Sequence, residues 1–171
     1  LAGATVELSV PGAEEVAEKT LNPRLGIARG ISILGSTGFV EPWNDHFTED
    51  RAQEIRNAPK VVVTTGRTGL RFSRMLFPHH KAVLMGSRLD SLAFERGQES
   101  ILCGLPALIL KWAWPGILEG TGYGTVAEMV EKQPRHENIA KALQIAAGRL
   151  PKTRIVLLRK DGSILAEACK E

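Results

Sequence analysis

KVVVTTGRTG, residues 60–69, sets three valines in a row ahead of a threonine-rich turn with glycine at both its ends. An unbroken β-branched run bounded by turn residues reads as a strand buried on both faces, which is the mark of a parallel sheet covered by helices. A helix to about Leu76 follows, and then KAVLM, Lys81–Met85, reads as a second strand closing on Gly86-Ser87. Further along, the same alternation places a helix over Arg88–Cys103, a buried strand at PALILK (Pro106–Lys111), and a Gly-rich passage through Gly116, Gly120, Gly122 and Gly124. Helices are expected from about Thr125 to Lys132 and over Pro134–Ala147, with Pro134 near the first turn. Arg154–Leu158 and Ser163–Ala168 flank Asp161-Gly162, a strong hairpin signal. Upstream, Thr5–Val10 alternates as a half-buried strand and Ala13–Lys19 is a short helix led by Glu14 and Glu15. Ile31–Leu34 is a further strand, and a polar helix runs from about His46 to Asn57 before Pro59. Strand–helix repetition with short connections predicts a three-layer, Rossmann-like α/β domain over residues 1–171. It has a mostly parallel sheet, helices on both faces and a C-terminal β-hairpin.

Composition narrows the classes. A chain of 171 residues with 43% hydrophobic and 24% charged residues is that of an ordinary globular domain, large enough to bury roughly 70% of its unfolded surface without staples. The most apolar stretch, Leu105–Leu118, is broken by Pro106, Lys111, Pro115 and Gly116, short of the roughly 18 residues a membrane span needs. Cys103 and Cys169 are too far apart in sequence for zinc spacing and read as reduced thiols, so a cytoplasmic protein without a metal site is expected. Leu1-Ala2-Gly3 shows no signal-peptide pattern and no initiator Met, as a fragment would. A net charge of +3 is too small for a nucleic-acid footprint. Its distribution says more, because Arg67, Arg71, Arg74, Lys81, Arg88 and Arg96 crowd the centre, while acids dominate Glu41–Glu54. A basic surface of this kind suits a ligand rich in carboxylates or phosphates, or else is a set of solvated helix faces.

In open α/β sheets ligands sit outside the carboxyl ends of the strands. Gly35-Ser36-Thr37-Gly38, Thr64-Thr65-Gly66 and Gly86-Ser87 are three such ends. Small residues there let backbone approach a ligand, although turns and helix caps favour the same types. No dinucleotide fingerprint, phosphate-binding GxxxxGK[ST] loop or GxSxG elbow occurs. His79-His80 has no ligand partner at metal spacing, Asp45 beside His46 reads as a cap, and His136 lies in a charged helical stretch. Cys103, placed in a helix, lacks a basic activator. Trp112 and Trp114 read either as the wall of a pocket for a flat ligand or as core.

Three strings carry a resemblance. Val6-Glu7-Leu8-Ser9-Val10-Pro11-Gly12-Ala13-Glu14-Glu15, Lys19-Thr20-Leu21-Asn22-Pro23-Arg24-Leu25-Gly26-Ile27 and Gly30-Ile31-Ser32-Ile33-Leu34-Gly35-Ser36-Thr37-Gly38 resemble, in order and spacing, the CbiD family. The terminal segment Arg154–Leu165 resembles the family's end. The resemblance implies methyl transfer from S-adenosylmethionine to carbon 1 of cobalt-precorrin-5B in anaerobic cobalamin biosynthesis, with cobalt arriving only as part of the tetrapyrrole substrate. Family chains begin with an additional α+β domain, so a C-terminal domain or shortened relative is expected here. Methyl transfer is chiefly a matter of position, and no catalytic side chain is assigned. The donor's polar groups are placed against Gly35, Ser36, Thr37, Gly38, Thr65 and Gly66, and the substrate's carboxylates against Arg67, Arg71 and Arg88. No nucleic acid or membrane partner is expected, and homo-oligomer formation is left open. Two alternatives stand beside this reading: a non-catalytic tetrapyrrole- or partner-binding α/β domain, and an α/β enzyme of another class.

Overall fold

A computed structural model describes residues 45–170 without interruption and, before them, residues 3, 5, 7, 9–20, 22, 23, 26, 27, 30 and 31. The chain forms two compact units, residues 1–41 and 42–171. In the first, helix α1 (Ala13–Glu18) starts after Gly12, whose φ of 75° is open to glycine at no steric cost, and carries Glu14 and Glu15 in its first turn. Asn22 organises the turn that follows. Its Nδ2 donates to the Gly30 carbonyl at 3.0 Å, its N–H donates to Thr20 Oγ1 at 3.1 Å, and its carbonyl accepts from Ile27 N–H at 2.9 Å. Thr5, Glu7, Ser9 and Val10 take no regular structure, in place of the expected strand. The strand expected at Ile31–Leu34, beyond Ile31, and the loop Gly35–Gly38 lie outside the described residues.

The second unit is built on a five-stranded sheet in the order β2-β1-β3-β4-β5. Its elements are α2 (Asp45–Arg56), β1 (Lys60–Thr64), α3 (Arg67–Leu76), β2 (Lys81–Leu84), β3 (Glu99–Gly104), α4 (Pro106–Ala113), α5 (Val126–Lys132), α6 (Glu137–Arg149), β4 (Arg154–Leu158) and β5 (Ile164–Ala168). Strands β1 to β4 pair in parallel, and β5 returns antiparallel to β4. Period-2 alternation sorts the side chains. Val61, Val63, Leu102, Ile155 and Leu157 face one core with α4, α5 and α6, whereas Val62, Ile101, Cys103, Val156 and Leu158 face a smaller core with Phe72 and Phe77. Right-handed crossovers require this division: β1 to β2 and β3 to β4 move in opposite directions along the sheet, so their helices lie on opposite faces.

Three expected elements differ. Arg88–Cys103 is not a helix. It holds one 3-10 turn, Leu89–Ser91, then an irregular passage, then the buried central strand β3. PALILK is not a strand but the start of α4, with Pro106 in its first turn, and its buried residues Pro106, Ile109, Leu110 and Ala113 fall at i, i+3, i+4 and i+7. That is the stripe of a helix packed on one side. Pro134 precedes α6, which begins at Glu137 after His136 caps it by accepting from Asn138 N–H through Nδ1.

Helix α2 docks on β2 through buried Ile55 and the Glu54–Lys81 ion pair at 3.0 Å. Gln98 Nε2 donates to the Ile55 and Ala58 carbonyls at its C-terminal end, where helix carbonyls lack partners within the helix. Burial acts to raise the Glu54 carboxyl, but hydrogen bonds and charge from Lys81 and Arg51 outweigh it, so the group titrates below its ordinary 4.5. A depressed native value stabilises the fold above the unfolded value and loses that contribution as pH falls through the native one. Glu54→Gln is therefore expected to lower Tm at pH 7 and to flatten the further fall of Tm on acidification below pH 4.5; an acid limb identical to the parent's contradicts this coupling.

Candidate functional site

The order 2-1-3-4-5 reverses direction between β1 and β3, and the crevice outside the carboxyl ends of those two strands is where such sheets hold ligands. Here the crevice is lined by Thr64-Thr65-Gly66 from β1 and Gly104-Leu105 from β3, with Thr64 opposite Cys103 in register. Helix α3 comes down close on these ends. A Cβ on Gly69 would stand 2.2 Å from Thr64 Oγ1 and 3.3 Å from the Gly104 Cα, and one on Gly104 would stand 2.8 Å from Thr65 Oγ1. Thr64 Oγ1 is fully buried without a hydrogen-bond partner. No side chain caps the N-terminus of α3 at Gly66, so its first N–H groups face the crevice mouth with a partial positive charge.

Thr65 and Gly66 are thus brought to the switch point, and Arg67 opens α3 beside them, exposed. Arg71 lies one turn further on, its guanidinium 5.3 Å from the centre of the Phe72 ring. Arg88 belongs to the neighbouring strand end, just after Met85-Gly86-Ser87, where Met85 N–H donates to the Thr64 carbonyl at 2.9 Å. Gly35, Ser36, Thr37 and Gly38 lie outside the described residues. Gly104 and Leu105 become site residues only because β3 is a strand; the sequence signal for them is the apolar run Ile101-Leu102-Cys103 ending on glycine.

The crossover carrying Arg88 is fastened to α4. Leu89 is buried, and Trp112 Nε1 donates to Asp90 Oδ1 at 2.7 Å, with the Arg149 guanidinium 5.1 Å from the Trp112 ring centre. Trp114 packs at the edge of the same core under Lys141, 4.6 Å from its ring centre. Both tryptophans are therefore packing residues with a cation over one face. His80 Nε2 meets Glu99 Oε1 at 3.1 Å at the amino end of the sheet, while His79 is exposed. Burial pushes the Cys103 thiol above its ordinary value, against the pull of Ser73 and Arg154, which suits a packed thiol rather than a nucleophile. Among the described residues no cluster of three His, Cys, Asp or Glu could hold a metal ion, and no helix is long and apolar enough to cross a membrane.

The CbiD family model matches residues 1–42, which take in the whole of the first compact unit. The cobalt-precorrin-5B C(1)-methyltransferase of Methanosarcina acetivorans is 48% identical over 168 residues, covering 98% of this chain and 50% of its own length. The chain belongs to the CbiD family. The enzyme of the same name from Methanococcoides burtonii is 47% identical over 166 residues, covering 97% of this chain and 49% of its own. This CbiD-family chain thus spans about half the length of the curated relatives it matches. The crystal structure of the cobalamin biosynthesis protein CbiD from Archaeoglobus fulgidus is similar at 34% identity and a TM-score of 0.47, over 74% of this chain and 41% of that one.

Two substitutions test the geometry of the crevice. Gly69→Ala forces a methyl group against Thr64 and the Gly104 backbone, and overpacking of this kind costs about 1–3 kcal/mol, offset in part by the roughly 1 kcal/mol that alanine gains over glycine in a helix; a lowered urea midpoint checks it, and a raised midpoint would show that α3 lifts to make room. Trp112→Phe keeps the ring and removes the donor to Asp90. Faster amide hydrogen exchange at Ser91 and Leu92 is expected, with a stability loss of no more than about 1 kcal/mol because Asp90 can turn to water; unchanged exchange would leave the anchoring to buried Leu89 and the Asp90–Arg149 ion pair.

Proposed function

We propose that this chain serves the S-adenosylmethionine-dependent methylation of carbon 1 of cobalt-precorrin-5B, in the corrin branch of cobalamin biosynthesis. Identity of 48% over 168 residues to an enzyme of that name carries the reading. The switch-point crevice supports it, since it offers backbone N–H groups at Gly66, the Thr65 hydroxyl and a line of arginines leading away along α3.

In this reading Thr65 and Gly66 hold the polar groups of the methyl donor. A carboxylate suits the uncapped N-terminus of α3, where partial positive charge and free N–H groups coincide. Arg67, Arg71 and Arg88 take carboxylate arms of the tetrapyrrole, for which the planar guanidinium offers two parallel N–H donors. The chemistry then depends on alignment. The bond from sulfur to the methyl carbon breaks as the bond to ring carbon 1 forms, and the sulfonium leaves as a neutral thioether. No protein nucleophile is called for, and the chain's task is to hold donor and acceptor in line, where positioning alone can lower a barrier by about 7–11 kcal/mol. Cobalt enters with the substrate.

Isothermal titration with S-adenosylmethionine, followed by product analysis with cobalt-precorrin-5B, tests this. Binding and methylated product are expected from the parent chain. Arg67→Ala with Arg71→Ala is expected to keep donor affinity and to weaken tetrapyrrole affinity about tenfold or more, the size of a lost charged hydrogen bond. No uptake of donor by the parent chain overturns the proposal. Donor uptake and tetrapyrrole binding without methyl transfer would make the chain a binding domain instead.

A further inference from the structure

Helix α3 turns one face to the sheet and the other to solvent, and its charge is distributed unlike that of the other helices. Gly69 and Ser73 are buried on the inner side. Arg67, Arg71 and Arg74 stand on the outer side at i, i+4 and i+7, all three exposed. Arg71 and Arg74 lie about 6 Å and about 10 Å along the axis from Arg67. The helix, RTGLRFSRML, holds no acid. Among the described residues none of the three guanidiniums meets a carboxylate. Other surfaces are compensated: Arg51 meets Glu54 at 2.7 Å within α2, and Lys132 meets Glu128 at 2.8 Å within α5. An apolar cleft of about 410 Å³ between the start of α4, helix α5 and the β4–β5 hairpin has a balanced rim, with Arg159 and Lys160 against Glu131 and Asp161.

The arginine row works against the helix that carries it. Arg67 opens α3 at its positive end, where a cation is unfavourable, and only Arg74 in the last turn suits the dipole. Arg67 with Arg71, and Arg71 with Arg74, are like charges about one turn apart, which destabilise a helix. Arg71 is also held in place. Its guanidinium is 5.3 Å from the centre of the Phe72 ring. That ring is wedged behind the hairpin turn, because a Cβ on Gly162, whose φ is +89°, would stand 2.3 Å from it. Stacking uses the face of a guanidinium and leaves its N–H edge for a carboxylate.

We infer that Arg74 is a further specificity-determining residue: it takes a third carboxylate, about two turns below the crevice, so that the outer face of α3 selects ligands by the number of their carboxylate arms. The inference rests on the tetrapyrrole reading above and extends it beyond Arg67, Arg71 and Arg88. The row itself selects the ligand class. Guanidiniums spread over about 10 Å cannot all be reached by one carboxylate or one phosphate, so several negative groups must sit on one scaffold. Planar forks pair with carboxylates two N–H groups at a time. The uncompensated charge is confined to one helix face in a chain of net charge +3, which suits a compact polyanion and not a nucleic-acid duplex.

The test is fluorescence titration of uroporphyrin, and of coproporphyrin with half as many carboxylates, into the parent chain, Arg74→Gln, Arg74→Lys and the control Arg56→Gln. Arg56 is an exposed cation at the end of α2, so its variant removes the same charge away from the row; far-UV circular dichroism is the fold control. Uroporphyrin is expected to bind the parent chain more tightly than coproporphyrin does. It is expected to lose about tenfold or more in Arg74→Gln, the size of a lost charged hydrogen bond, and to keep its affinity in Arg56→Gln. Arg74→Lys keeps the charge without the fork and is expected to recover only part of the loss. Equal losses in Arg74→Gln and Arg56→Gln reduce the effect to overall charge and overturn the inference. Unchanged affinity in Arg74→Gln, beside a loss in Arg67→Ala with Arg71→Ala, also overturns it and leaves the tetrapyrrole reading standing. Tripolyphosphate that binds through Arg74 more tightly than uroporphyrin overturns the choice of carboxylate. Uroporphyrin binding through Arg74 in a chain that takes up no S-adenosylmethionine keeps the row and removes the methyl-donor reading. A parent chain that binds neither porphyrin overturns both the row and the tetrapyrrole reading.

Discussion

Helix α3 can lie directly on the ends of β1 and β3 only because two facing positions carry no side chain. Gly69 on the helix and Gly104 on the strand let backbone meet backbone, with Thr64 and Thr65 filling the remaining space. Much of the second unit follows from that approach. With α3 held on one face near the β1–β2 edge, the longer connection from β3 to β4 must use the other face, and α4, α5 and α6 build the larger core there. The reversal of strand order between β1 and β3 then leaves a crevice whose floor is the same pair of strand ends. A glycine inside a helix costs about 1 kcal/mol in propensity, and a buried hydroxyl without a partner, as at Thr64, costs about 1–3 kcal/mol. Both costs fall where the sheet comes closest to the helix that carries Arg67 and Arg71.

How far the sequence could be read follows the physics of each element. KVVVTT was legible because a strand between two others must be apolar on both faces, and three valines leave little else to be. The Asp161-Gly162 turn was legible because few residue pairs turn a hairpin with the required backbone twist. The failures sit next to each other. Strand β3 and helix α4 are separated by Leu105 alone, so their apolar residues merge into one run, and both were assigned the wrong element. The helical stripe at Pro106, Ile109, Leu110 and Ala113 was present, but a short buried helix and a buried strand differ in sequence only by such spacing. The crossover from β2 to β3 misled for another reason. Strand–helix repetition predicts a helix there, and the chain instead crosses β1 on a single 3-10 turn pinned by Leu89 and Trp112.

The candidate site divides along the same line. Thr65, Gly66 and Arg67 sit where a legible strand meets a legible helix, and the structure brings them to the switch point. Gly104 and Leu105 depended on recognising β3. The apolar cleft was beyond the sequence, since its lining comes from the ends of β3 and β4 and from two helices, at residues 105–107, 127–134 and 158–161. Only the sheet makes those segments neighbours.

The titration behaviour of the second unit bears on the kind of chemistry it suits. Glu54, Glu99, Glu128, Glu131 and Asp161 are all held toward their charged forms, through lysine partners or, at Asp161, through Ser163. Such groups stay ionised across the neutral range, whereas acid–base catalysis needs a group poised near the working pH. Methyl transfer from a sulfonium sets a different requirement: a fixed donor, a fixed acceptor and little charge reorganisation by the protein. In the proposed reading, the crevice with its backbone donors and the basic face of α3 would meet that requirement on two separate surfaces.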